Sequence, residues 1–295
     1  MSATADSTTA SISTTRDESF AFVQALANEL SEGKVELTGF PEVAARVQHA
    51  LADEEVSTDR VVRVVSSEPI LATQLMQVAN SVAFNPVGKP VTELRTAVAR
   101  VGLNVVRTTT IAYAVRQLRE VESLKSIRPQ LDELWQRNVS IATMCYVLAR
   151  RVSRVNPDTA LLTGLLHGIG RLYIMTRAVK YPALFANLAS YQAIERDWQA
   201  GVASALLENW EVAEDIVNAV RESDDLAREA RGPVNLTDIL VAANIIVNHD
   251  GDPVLLGVRL QSVKAVARMQ LDAEACERLK QESEEEIAAL REALG

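Results

Sequence analysis

One histidine of the sequence lies among residues whose types could do chemistry. His167 stands in the stretch Leu162–Leu172, inside an apolar run that predicts one helix from Ala160 to Met175. A neutral imidazole can ligate a metal or move protons near neutral pH. Three glycines surround it: Gly164, Gly168 and Gly170. Because a glycine inside a helix costs about 1 kcal/mol relative to alanine, they indicate close helix packing or an opening beside the histidine; the alternative is a histidine that is simply buried.

A second distinctive stretch runs from Glu68 to Phe84. Pro69 suits the first position of a helix, where its missing N–H costs nothing. Asn80 and Ser81 come near the expected end of that helix, where short polar side chains can bond free carbonyl groups. The spacing alone therefore predicts a capped amphipathic helix.

The composition excludes several classes of protein. The 295 residues include 30 Lys and Arg against 39 Asp and Glu, a net charge of −9, which argues against binding to nucleic acid. The low contents of Gly (12), Pro (9) and aromatic residues (4%) argue against a β-sandwich or barrel. Two cysteines cannot form a disulfide framework, and three histidines limit any multinuclear metal centre.

Residues 1–16 contain nine Ser and Thr residues, and we expect them to form a disordered tail. They show neither the basic region nor the apolar region of a secretory signal. No run of about 18 apolar residues follows anywhere, so the sequence predicts no contact with a membrane. We expect a cytoplasmic protein.

Apolar residues recur at helical spacing through the rest of the chain. The pattern predicts an all-α protein of roughly twelve helices, without strands. A charged segment that ends at Pro129 suggests a boundary. We therefore expect an N-terminal helical lobe over 17–128, a second lobe over 129–250 and extra C-terminal helices over 251–295. On the last predicted helix, 272–294, a narrow apolar stripe could dock a partner or a second copy, or pack on the body: Ile287, Leu290 and Leu294.

Together these stretches resemble the bacterial HDOD family, a divergent branch of the HD-domain superfamily. The most distinctive residues are Glu68-Pro69, Leu71, Leu75-Met76 and Ala79-Asn80-Ser81. Two further segments resemble the family's pattern: Leu37–Ala44 upstream and Val91–Arg107 downstream. The resemblance covers about residues 35–250 and implies a two-lobed helical HDOD fold.

The resemblance also allows the metal-ligand positions to be compared. HD phosphohydrolases hold divalent metals with His, a His-Asp pair and a later Asp. Here Gly168 follows His167, Arg137 takes an earlier histidine position, and Asn244 lies near the later Asp. Arginine cannot lose its proton to become a ligand. The helix Trp210–Val220 is followed by 221–224, which contain no histidine. The resemblance therefore implies no catalytic residues, no metal and no cofactor.

The resemblance still implies a pocket, and it predicts that five residues line this pocket: Arg137, His167, Glu222, Asp224 and Asn244. Arg137 could bind a small anion where a cation once lay, or could pair internally with Glu222 or Asp224. We therefore expect a non-catalytic signal-transduction protein that acts through signalling partners. The alternative is a degenerate phosphohydrolase or cyclic-dinucleotide phosphodiesterase. Five arginines between 95 and 119 do not share one helix face, so we expect no nucleic-acid partner: Arg95, Arg100, Arg107, Arg116 and Arg119.

Overall fold

The computed structural model describes residues 3–37, 39–53, 56–229 and 232–294, with side chains from residue 14 onward. All regular structure in these ranges is helical, which confirms the all-α prediction. The first helices are α1 (Ala3–Ser31), α2 (Glu42–Ala52), α3 (Thr58–Ser66), α4 (Pro69–Asn80), α5 (Leu94–Arg119), a 3₁₀ helix (Glu122–Ile127) and α6 (Arg128–Val152). The others are α7 (Pro157–Leu166), α8 (Ile169–Ala178), α9 (Pro182–Ala186), α10 (Leu188–Asn209), α11 (Glu214–Glu222), α12 (Leu236–Asn248), α13 (Pro253–Ser262), α14 (Lys264–Ala267), α15 (Ala273–Glu282) and α16 (Glu284–Leu294).

The described residues thus form sixteen α-helices and one 3₁₀ helix, more than the roughly twelve that periodicity predicts. Helices α9 and α14 have only five and four residues, too few to show a 3.6-residue period. The predicted last helix, 272–294, is divided at Ser283, which ends α15. No helix in the described ranges combines the length and apolarity needed to cross a bilayer.

Helix α1 corrects the expectation of a disordered tail over residues 1–16, because it begins at Ala3; residues 1 and 2 lie outside the described part. Its C-terminal half is anchored by Phe22 and Leu26, each 1% exposed. The Glu18 carboxylate accepts hydrogen bonds from the first free N–H groups of α9, at 2.8 and 3.1 Å. A helix that is anchored in this way lengthens easily, since each added residue contributes one hydrogen bond after the costly first turn.

Pro69 occupies the first turn of α4, and the buried face of the helix carries Leu71, Leu75 and Val78. The Asn80 side chain exchanges hydrogen bonds with the backbone of Val91, at 2.7 and 2.9 Å. The Ser81 hydroxyl donates to the Val78 carbonyl at 2.7 Å. The Asn80–Ser81 pair therefore fixes the end of α4 and the chain that enters α5.

Two hydrophobic clusters form the interior. The smaller one joins α2, α3, α4 and the first half of α5, and the larger one contains the C-terminal part of α5 together with most of the other helices. Helix α5 is therefore shared, and Gly102 bends it with a positive φ of 79°. The lobe boundaries at residues 128 and 250 stay predictions.

Helix α16 holds the apolar stripe that the sequence offered as a docking surface. Leu290 and Leu294 are 1% and 2% exposed, because they pack on the body of the protein. Glu286 lies 3.4 Å from Arg150 and 3.3 Å from Arg151 of α6. Of the two alternatives for the stripe, Leu290 and Leu294 follow packing on the body, while Ile287 is half-buried and lines a separate cavity.

Candidate functional site

A cavity of about 300 Å³ lies between α6, α8, α12, α13 and the loop that follows α11. Apolar side chains line part of the wall. The polar lining consists of Arg137, Arg171, Ser223, Asp224, Asn244, Asn248, His249 and Arg259. Among the described lining residues, three are therefore arginines and one is a carboxylate. Such a cavity is electrostatically suited to an anion.

His167 lies at the junction of α7 and α8, behind this cavity. The sequence placed it in the middle of one helix; instead α7 ends at Leu166, and Gly168 precedes the first residue of α8. A Cβ atom on Gly168 would overlap the buried side chain of Asn138, so only glycine lets the junction approach α6 this closely. The sequence offered two interpretations of the glycines, close helix packing or an opening beside the histidine. The contact of Gly168 with Asn138 confirms close packing.

The imidazole of His167 is neutral. Its Nδ1 lies 2.6 Å from the Gly164 carbonyl oxygen, which can only accept, so Nδ1–H donates and Nε2 carries no proton. Burial lowers the pKa of His167 to about 3, and nearby Arg171 and Arg137 contribute to the decrease, while the bond to Gly164 opposes it. Nε2 is buried and has no hydrogen-bond partner among the described residues.

The neutral state of His167 makes stability depend on pH. A histidine with a folded pKa of about 3 and an unfolded pKa near 6.5 takes up its proton first in the unfolded chain, so its contribution is complete above pH 6.5 and is lost as the pH falls. We expect the free energy of unfolding to fall between pH 6.5 and 5 by up to ~1.4 kcal/mol per pH unit more than in His167→Gln. Urea unfolding of both proteins measures this; parallel pH profiles would contradict it.

Arg137 projects from α6 into the cavity wall and is half-buried. The described residues offer it no ion pair and no hydrogen bond, and its Nε atom is buried without a partner. Burial is the main cause that lowers its pKa, and the charge of Arg171 lowers it further, while the carboxylates of Glu195, Asp224 and Glu133 oppose the decrease. Two guanidinium groups that repel each other therefore stand on the wall of one cavity.

Arg171 of α8, in contrast, has carboxylate partners. Its Nε atom lies 3.4 Å from Glu195 of α10, and its Nη2 atom lies 3.9 Å from Asp224. Asp224 also accepts a hydrogen bond from the buried Gln199. The internal pairing that the sequence suggested for Arg137 is thus made by Arg171.

Of the five residues predicted to line the pocket, Arg137, Asp224 and Asn244 do so. His167 lies behind the wall. Glu222 faces another cavity, of about 510 Å³, and lies 3.9 Å from Arg228, which corrects its assignment to the site. It sits on the last turn of α11, before the chain turns toward the cavity at residues 223 and 224.

Sequence reasoning missed five of the polar lining residues: Arg171, Ser223, Asn248, His249 and Arg259. Arg171 follows His167 by four residues, a spacing that points to the same side of a helix and could have indicated it. His249 ends α12, and its buried Nδ1 has no partner in the described part of the chain. The neighbouring side chains of Asp250 and Asp252 bind Lys280 and cap α13.

Comparison with known proteins explains this helical arrangement. The model of the HDOD domain family matches residues 37–226, well over half of the chain. The chain belongs to the HDOD family. One relative of this HDOD chain, an uncharacterized protein of Treponema pallidum (strain Nichols), is 25% identical over 246 residues, which make up 77% of this chain and 45% of the relative. The chain thus spans less than half the length of that relative.

Two solved structures share the HDOD chain's fold. A Shewanella amazonensis SB2B protein named "Putative metal-dependent phosphohydrolase" has a TM-score of 0.71 and 22% identity, over 95% of this chain and 100% of that one. A Marinobacter aquaeolei VT8 protein named "Putative signal transduction protein" has a TM-score of 0.56 and 18% identity, over 96% of this chain and 66% of that one. At these identities the likeness concerns the fold, and the two names point to different activities.

The metal of HD phosphohydrolases does not fit the residues of this HDOD chain. A divalent cation needs several neutral imidazole or carboxylate ligands around one point. The described residues contain no group of three or more His, Cys, Asp or Glu side chains that could hold one. His167 offers one free nitrogen, but Gly168 follows it, and Arg137 and Arg171 lie close enough to lower its pKa. The positive charges of these two arginines would repel a metal cation beside His167.

Proposed function

We propose that this HDOD protein is a regulatory, non-catalytic component of signal transduction whose cavity binds a small anion. The observation that carries the proposal is Arg137, a half-buried guanidinium group without a partner among the described residues, on the wall of a cavity that two further arginines line. Arg137 occupies the position of a metal ligand in the HD pattern. A fixed positive charge replaces the cation, and the natural occupant changes from metal to anion.

The physical reason is the free energy of a half-buried charge that has no ion-pair partner among the described residues. Desolvation disfavours the charged form of Arg137, and the neighbouring Arg171 adds repulsion. An anion that accepts hydrogen bonds from Arg137 removes both effects at once, through charge-assisted bonds that are stronger than neutral ones. Because guanidinium offers five donors in a planar fork, phosphate and carboxylate groups both suit it.

Thermal unfolding with a panel of anions tests the site. At an anion concentration about 100 times its dissociation constant, we expect the midpoint to rise by ~5 °C. The shift should disappear in Arg137→Gln and persist in Arg278→Gln, a matched control in which an exposed arginine of α15 loses only a surface ion pair with Glu274. If no anion moves the midpoint of the wild-type protein, the proposed anion site is wrong.

The absence of hydrolysis needs its own experiment. Purified protein incubated with divalent metals and with nucleotides or cyclic dinucleotides should release no product above the protein-free control, since only one of the expected ligand positions is still a histidine. Turnover that rises with protein concentration and is lost in His167→Ala would establish the phosphohydrolase alternative instead.

Action through protein partners is supported by the family and by the charge of −9. The arginines between 95 and 119 support no phosphate track: Arg107 is buried and donates to the Leu51 and Trp210 carbonyls, while Arg95 and Arg119 pair with Asp59 and Asp132. A salt-dependent gel shift with duplex DNA should therefore show no complex. The cytoplasmic location and a homo-oligomer stay predictions.

A further inference from the structure

The three arginines of the cavity differ in what neutralises them. Arg171 lies near two carboxylates, Glu195 and Asp224. Arg137, which is half-buried, and Arg259, which is exposed, reach the cavity from α6 and α13, and neither has a carboxylate partner within 4.0 Å among the described residues. Two positive charges on different walls thus face one space of about 300 Å³.

A ligand with a single charge can neutralise only one of these two guanidinium groups, whereas a dianion can pair with both through charge-assisted hydrogen bonds. A terminal phosphate is also tetrahedral, so its three free oxygens can accept from donors on several walls, whereas a carboxylate or a phosphodiester has two free oxygens. The buried Nδ1 of His249, which has no partner in the described chain, adds a group for a further hydrogen bond.

The remaining wall is apolar. Val241 and Ile245 of α12 line it together with Val263, and Leu226 also lines it with 47% of its surface exposed. Inorganic phosphate makes no use of such a surface, but an organic group attached to the phosphate does. The volume lies at the lower end of the range for small-molecule sites, which favours a ligand of modest size.

We propose, on the basis of the anion site above, that the ligand is a small phosphate monoester, with its dianionic phosphate between Arg137 and Arg259 and its organic group against Leu226 and the α12 wall. Arg137 and Arg259 then select for charge, and the apolar wall selects for an organic phosphate over the free ion. Arg171 is already paired with carboxylates and therefore contributes less to the binding of the phosphate.

Isothermal titration calorimetry at about pH 8, where a monoester is a dianion, separates the ligand classes with three probes. Phenyl phosphate is the monoester, methyl phenyl phosphate is the monoanionic diester of the same ring, and inorganic phosphate lacks the ring. We expect phenyl phosphate to bind about tenfold more tightly than either of the other two. Arg137→Gln and Arg259→Gln should each weaken it by about tenfold or more, and Arg278→Gln should leave it unchanged. Leu226→Ala should reduce the preference for phenyl phosphate over inorganic phosphate.

The outcomes separate this inference from the proposed anion site. If the diester binds as tightly as the monoester and both depend on Arg137, the site stands and the dianion inference is wrong. If inorganic phosphate binds as tightly as phenyl phosphate, the organic part of the inference is wrong. If none of the probes binds, or if Arg137→Gln binds them as the wild type does while circular dichroism shows that it is folded, the proposed site fails as well.

Discussion

Replacing Asp238 by alanine should lower the free energy of unfolding by about 3–4 kcal/mol, the largest loss that we expect from any single side chain of this protein. Asp238 is completely buried, yet its carboxylate accepts hydrogen bonds from two arginines, Arg228 and Arg268. It also accepts from the backbone N–H of Asn235 at 2.9 Å, as one half of the capping box that begins α12. Alanine removes this half of the capping box and leaves two guanidinium groups without their shared anion.

The loss extends beyond α12 because the two arginines connect separate parts of the chain. Arg268, just after α14, also donates to the carbonyls of Gly232 and Pro233, at 2.6 and 3.2 Å. Arg228 lies in the loop that leads from α11 past the cavity. Asp238 therefore holds that loop against α12 and the end of α14, and the same loop supplies Asp224 to the cavity wall.

Urea unfolding followed by circular dichroism measures the effect, with Asp272→Ala as the matched control. Asp272 is also an Asp at a helix start, and it accepts from the Ala275 N–H at 2.7 Å, but it is exposed and binds no arginine. Its loss should be about 1 kcal/mol, the usual value of an N-cap. Equal losses in the two variants would show that the arginine pairs of Asp238 contribute nothing.

The helical fold could be predicted from the sequence because, at helix ends such as that of α4, local rules and tertiary packing favour the same structure. Pro69, Asn80 and Ser81 stand where helix rules place them, and the structure adds only the identity of the long-range partner, the backbone of Val91. Arg137 could be proposed for the cavity wall from the motif, because the resemblance matches it to an earlier ligand position of the HD pattern. The start of the α12 capping box is equally local.

The rest of the site depends on contacts between residues far apart in the chain. Arg259 lies beyond the segment that resembles the family, and no local pattern indicates that α13 reaches the cavity. Arg268 meets Asp238 across 30 residues. Glu222 was assigned wrongly because a shift of two residues at the end of a helix decides which cavity a side chain enters, and helix ends are where sequence patterns are least exact.

The contact between α8 and α10 gives the second large effect, from a substitution that local rules alone would call stabilising. A Cβ atom on Gly170 would lie within 2.9 Å of the Gln199 carbonyl carbon, closer still to its oxygen, and 3.0 Å from the Ala203 backbone nitrogen. Backbone atoms of a packed helix cannot move aside as a side chain can. We expect Gly170→Ala to lower the free energy of unfolding by about 2–3 kcal/mol, even after the helix-propensity gain of ~1 kcal/mol.

Gly201→Ala is the decisive comparison, because Gly201 lies on α10 between the two residues that Gly170 meets. It is exposed, and nothing lies within 4 Å of an added Cβ. The same chemical change should there raise the free energy of unfolding by up to ~1 kcal/mol, through propensity alone. Urea unfolding of the two variants should thus give opposite signs. If both raise it, α8 and α10 are not in backbone contact at Gly170, and the packing that sets His167 behind the cavity wall is wrong. If only Gly201→Ala raises it, the glycines around His167 serve helix contact, as the geometry of the junction requires.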